Sequence, residues 1–105
     1  MQYEHGSRVP IIRDSEHPYM VDLYARRGVA DRTDPQQVLD SAEAAWNGAT
    51  DIAERIEATE LLMGRRVDGR EMNTLPFELA AAILSGDPFE VAYRGVARAL
   101  EIGAA

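Results

Sequence analysis

The chain has no lysine and no cysteine; all 11 of its basic side chains are arginine. Without a lysine amine there is no Schiff-base nucleophile and no phosphate-loop lysine. Without a thiol there is no disulfide, no cysteine nucleophile and no sulfur-ligated zinc or iron–sulfur centre. Aromatic residues make up 7% of the chain, with a single tryptophan, Trp46, and two histidines, His5 and His17. The longest unbroken apolar run, Leu79 to Leu84, is far too short to span a bilayer. The opening residues Met1-Gln2-Tyr3-Glu4-His5 lack the charged and apolar regions of a secretory signal, so the expected location is cytoplasmic.

What is present fits a small folded domain. A chain of 105 residues with 46% hydrophobic and 28% charged side chains is of ordinary globular composition, and long enough to bury a core without a metal or disulfide. The formal charge of −7 argues against a general nucleic-acid binder, which needs a cationic surplus to neutralise phosphate.

The apolar period is helical almost everywhere, which predicts an all-α fold: four helices, an irregular arm over residues 1–15, and a single helical domain over 16–105. The first helix, about 16–27, carries Met20, Leu23 and Tyr24 on one stripe, with Ser15 as its cap and Gly28 as its stop. The second opens on Asp34-Pro35 with Gln37 three places on, a helix-start pattern. Its stripe then runs through Val38, Ala42, Ala45, Ala49, Ile52, Ile56 and Met63 without losing phase. That continuity favours one helix over 35–63, about 43 Å long. The competing reading stops at Asn47-Gly48 and restarts at Asp51, with Glu54 as its capping partner. Asp68-Gly69 signals a short hairpin over 65–72. Thr74 and Pro76 then start a helix over about 75–85, in which Phe77, Leu79, Ala80, Ile83 and Leu84 are so largely apolar that it is expected to be the most buried. Asp87-Pro88-Phe89-Glu90 starts the last helix, about 88–102. Leu39, Trp46, Ile52, Ile56, Leu79, Ile83, Leu84, Phe89, Val96 and Leu100 are the expected core.

Candidate sites are sparse. Each histidine follows a glutamate directly and neither has helical ligand spacing, so no metal site and no cofactor is expected. The serines have no nucleophile-elbow setting. Glu60 projects onto the apolar stripe between Ile56 and Met63, where a carboxylate must pair, become neutral or face a partner. Arg65, Arg66 and Arg70 lie close together on the expected hairpin, and arginine suits bidentate contact with carboxylate or phosphate. Trp46 borders a seam of small residues, Ala42, Ala45 and Ala49, that permits close helix approach, and tryptophan and arginine are frequent interface anchors.

With no catalytic set, the leading expectation is a non-enzymatic protein-interaction module: an accessory subunit, adaptor or inhibitor. Its partner is a second copy or a larger protein, met through Trp46, Glu60, Arg65, Arg66 and Arg70. One reason is that a 43 Å helix would overhang so small a domain. Two other readings stand beside it: a nucleic-acid-linked regulator using the arginine loop, and a small enzyme built on Glu60 and an arginine in a helical pocket.

Overall fold

A computed structural model describes residues 17–104; the expected arm over 1–15 lies outside them. The described residues are all helical in their regular structure, with no strand among them: α1 (Pro18–Arg26), α2 (Pro35–Asn47), α3 (Ile52–Met63), a 3-10 turn (Gly69–Asn73), α4 (Phe77–Ser85) and α5 (Phe89–Ala104). The all-α class is as the period predicts, with five helices where four were expected.

The fifth comes from the long helix, which is broken. α2 ends at Asn47, and Asp51 starts α3 by accepting the Glu54 N–H at 2.9 Å. The Glu54 carboxylate reaches back to the Thr50 N–H and hydroxyl, at 2.7 and 2.9 Å. These local bonds stabilise the restart more than a continuous helix could, because an interior Asp51 and Thr50 would have no free N–H groups to cap. The unbroken phase has a simple origin. The four-residue link is close to one 3.6-residue turn, so two separate stripes facing the same core look like one. Gly48 does not drive the reversal by its freedom, since its φ of −91° and ψ of −2° suit any residue. The described residues measure 32 × 32 × 23 Å, so no helix overhangs the body.

The hairpin over 65–72 is likewise absent. Asp68 instead caps the 3-10 turn, accepting the Arg70 and Glu71 N–H groups at 2.9 and 3.2 Å, while Glu71 reaches back to the Asp68 N–H. Asp-Gly serves a hairpin only when alternating apolar strands flank it; here Glu71 supplies a capping box. Thr74 bonds to the Glu71 carbonyl, and α4 starts at Phe77 with no side-chain cap. At the other end of the chain His17, through Nδ1, caps α1 by accepting the Tyr19 N–H at 3.1 Å.

α3 is the central element and packs against each of the other four helices. From Ala58 to Met63 every residue is buried, so this half of α3 has no solvent face. α2 folds back against α3; the Ser41 hydroxyl on α2 and the Glu57 carboxylate on α3 both bond Arg27, at the end of α1. α4 and α5 form a second hairpin through Gly86, whose φ of +71° ends α4. They touch at Gly95, where a β-carbon would lie 2.7 Å from Leu79 Cβ and 2.9 Å from its Cα.

Two expected core residues are outside. Ile52 is 41% exposed because the reversal makes it the first residue of α3, and Leu84 is 59% exposed. Trp46, Leu79, Ile83, Phe89 and Val96 are buried, while Leu39, Ile56 and Leu100 are half-buried at the edge of the core. The most buried helix is therefore the second half of α3, with α4 facing solvent on one side.

These positions set different costs. Leu61→Ala removes a fully buried side chain from α3 and is expected to cost about 2–5 kcal/mol, whereas Leu84→Ala should cost less than about 0.5 kcal/mol. Gly95→Ala should destabilise by about 1–3 kcal/mol through overpacking against Leu79, despite alanine's higher helix propensity. Urea denaturation of the three variants checks all three values.

Candidate functional site

Glu60 lies in the buried half of α3 and is 2% exposed. Each oxygen of its carboxylate accepts one hydrogen bond from the protein. The Tyr19 hydroxyl of α1 donates to Oε1 at 2.6 Å, and the Val67 N–H donates to Oε2 at 2.9 Å. Gly64, with φ +71°, stops α3 and turns the chain so that Val67 comes back over Glu60. Arg66 does not pair with the carboxylate; its guanidinium carbon sits 5.1 Å from the centre of the Tyr19 ring. Desolvation pushes the Glu60 carboxyl above its ordinary 4.5, more than the Tyr19 and Val67 bonds pull it down. Burial, then the Glu60 contact, raises the Tyr19 phenol to about 12. One turn earlier on α3, Glu57 receives Arg26 at 3.4 Å and Arg27 in a closer contact. The two carboxylates thus hold both ends of α1 against α3.

The arginines of residues 65–70 do not converge. Arg65 pairs with Glu71 at 2.5 Å and also donates to the Arg66 carbonyl at 3.2 Å. Arg66 lies over Tyr19, and the Arg70 guanidinium forms no ion pair among the described residues. Trp46, in the last turn of α2, is 5% exposed and lies inside the chain's own core, its indole N–H donating to the Asp87 carbonyl at 2.7 Å. Ala42 and Ala45 of its seam are also buried within the chain. Beside Trp46 is a surface cavity of about 290 Å³, lined by Asn47, Ala49, Arg55, Gly86, Asp87 and Pro88. Arg55 is anchored there by its Nε donating to the Ile83 carbonyl at 2.6 Å, so it covers an end of α4 that would otherwise present a bare acceptor. Among the described residues no group of three or more histidine and carboxylate side chains is placed to hold a metal ion, and no helix is long and apolar enough to cross a membrane.

The most exposed large apolar residues lie on α4. Leu79, Ala82 and Ile83 face the core. Phe77, Ala80, Ala81 and Leu84 fall on the opposite side, within an arc of about 100°. Phe77 is 87% exposed and Leu84 59%. On the other helices the outward positions are largely polar, such as Gln36, Asp40 and Glu43 on α2 or Glu90, Arg94 and Arg98 on α5. Among the described helices α4 exposes the two large apolar side chains most open to water, with half-buried Ala80 and Ala81 between them and Glu78 at the border; Val21 on α1 and Ile52 on α3 are exposed to a lesser degree. The sequence pattern assigns Leu84 to the core, and expects the helix that carries Phe77 to be the most buried, because it registers how apolar the helix is. The available signal was that its apolar residues form two opposed faces, and one neighbouring layer covers only one.

The pH behaviour follows from Glu60. Its raised carboxyl means that the folded state holds this proton more readily than the unfolded state. The contribution of Glu60 to stability is therefore greatest below the ordinary value of 4.5 and falls as pH rises through the higher folded value. Glu60→Gln should remove that dependence and be at least as stable as the parent at pH 8, since an amide can still serve both Tyr19 and Val67. Glu60→Ala leaves the Val67 N–H without an acceptor and should cost about 2–4 kcal/mol. Urea titrations of the three proteins at pH 5 and pH 8 measure both effects.

No protein-family model, curated protein or solved structure matches the chain.

Proposed function

We propose that the chain is a non-enzymatic protein-interaction module that docks through the outward face of α4. One observation carries this reading: Phe77 and Leu84 are large apolar side chains left in water, with Ala80 and Ala81 between them, on a helix whose other face already completes the core. Leaving a phenyl ring and an isobutyl group exposed forgoes about 1.5–3 kcal/mol each of burial energy. A contiguous apolar strip rimmed by charge is the usual form of a docking surface, and a helix presents it as a seam for another apolar face.

The other two readings have less support. An enzyme built on Glu60 needs an oxygen free to reach a substrate, and both oxygens accept hydrogen bonds from the protein. A phosphate-binding loop needs converging guanidinium groups, whereas Arg65 is paired with Glu71 and Arg66 rests on Tyr19.

The test is the double variant Phe77→Asp/Leu84→Asp. Both positions are exposed, so unfolding free energy should change by less than about 1 kcal/mol. Capture of partner protein by the immobilised domain, including capture of its own kind, should fall at least about tenfold. Equal capture by parent and variant would remove the α4 face from the function.

A further inference from the structure

We infer that the occupant of the α4 face is a second copy of the same chain, with the two α4 helices crossing antiparallel about a two-fold axis between Ala80 and Ala81. This rests on the interaction-module reading and adds the identity and register of the partner. The reason is the order of residue sizes along the strip. It runs large, small, small, large: Phe77, Ala80, Ala81, Leu84. That order is self-complementary under reversal. With the axis midway between the alanines, Phe77 of one copy meets Leu84 of the other at both ends, and the four alanines meet at the centre. The two-fold operation makes both halves of the contact satisfied by the same residues, as an isologous interface requires. The methyl groups at the crossing allow helix axes to come within about 8 Å, so the end side chains lap over the partner helix. Parallel pairing would set Phe77 against Phe77 and Leu84 against Leu84, splaying the helices unequally at the two ends.

The charge at the border of the strip fits self-association. The molecule as a whole carries −7, yet the rim beside the strip is balanced, with Glu78 on α4 facing Arg98 on α5 at 4.0 Å, both on the surface. Two such rims offer each other charges of both signs, while the remainder of the surface repels only at long range. Phe77 alone should bury about 150 Å², and the strip with its rim on the order of 1,000 Å² in total, near the lower limit for a specific contact. A contact of this small size is expected to give a weak, reversible dimer. Added salt should strengthen it, by screening the mutual repulsion while leaving the apolar seam intact.

The absence of cysteine makes the register directly measurable in the full chain. Sedimentation velocity from about 1 to 300 μM should show a monomer–dimer equilibrium that shifts toward dimer between low and high salt. Phe77→Asp/Leu84→Asp should raise the dissociation constant at least about tenfold. Under mild oxidation Ala81→Cys should form a disulfide-linked dimer, because residues 81 and 81 of the two copies are offset by one helical rise, about 1.5 Å along the axis. Ser85→Cys should not, since its two copies are about 14 Å apart along the axis, beyond disulfide reach. A monomer at every concentration overturns the inference. If that monomer still captures a different protein in a manner lost with Phe77→Asp/Leu84→Asp, the interaction module stands with another partner; if it captures nothing, both readings fall. A monomer whose Ala81→Cys thiol resists labelling also overturns it, because the chain's own residues then cover the face. A dimer in which Ser85→Cys links as readily as Ala81→Cys overturns the antiparallel register.

Discussion

The burial of α3 on every side from Ala58 to Met63 is the constraint around which the domain is arranged. A helix segment with no solvent face needs neighbours all round it, and α1, α2, α4 and α5 each supply one. The segment also contains Glu60, whose carboxylate could not remain there without donors. Tyr19 and the Val67 N–H provide them from opposite directions in sequence, one from α1 and one from the turn after α3. The same two hydrogen bonds therefore close the core and fix where α1 lies. Glu57 extends the arrangement to the far end of α1 through Arg26 and Arg27.

The arginines show the same economy of role. Arg26 and Arg27 attach α1 to α3, Arg65 holds Glu71 at the 3-10 turn, and Arg55 binds the Ile83 carbonyl near the end of α4. Each has a planar fork with several fixed donors, which suits carboxylates and bare helix-end carbonyls better than an ammonium would. The engagement of Arg65 by Glu71 and of Arg66 by the Tyr19 ring explains why a cluster that looks like a binding loop in sequence does not present a common cationic surface. It also leaves the acidic excess on the outside, where a charge of −7 keeps nonspecific contacts rare.

Against that charged exterior the α4 strip is the exception. α4 closes the core with Leu79, Ala82 and Ile83, and Gly95 of α5 lets the two helices approach until their backbones nearly touch. That close approach settles the rotation of α4. Once Leu79 is seated against Gly95, Phe77 and Leu84 have to point away from the body. Their exposure follows from the packing of the other face, and a partner is what would relieve it.

The fold class was legible in the sequence, because a 3.6-residue period needs only local pattern to recognise. So were the start of α2, where Asp34 ahead of Pro35 accepts an unbonded N–H, the start of α5 just after Asp87-Pro88, and the stop at Gly28, whose φ is +80°. The peculiarity of Glu60 was legible too, as a carboxylate on an apolar stripe, although its partners were not: Tyr19 lies 41 positions away. The break between α2 and α3 was hidden because a link of nearly one helical turn preserves phase, so periodicity could not separate one helix from two. The exposure of Phe77 and Leu84 was decided by tertiary structure alone. Hydrophobicity states what a side chain would gain from burial, but whether it is buried depends on how many neighbouring faces the rest of the chain can bring to it, and α4, already packed on one side, receives too little on the other to cover Phe77 and Leu84.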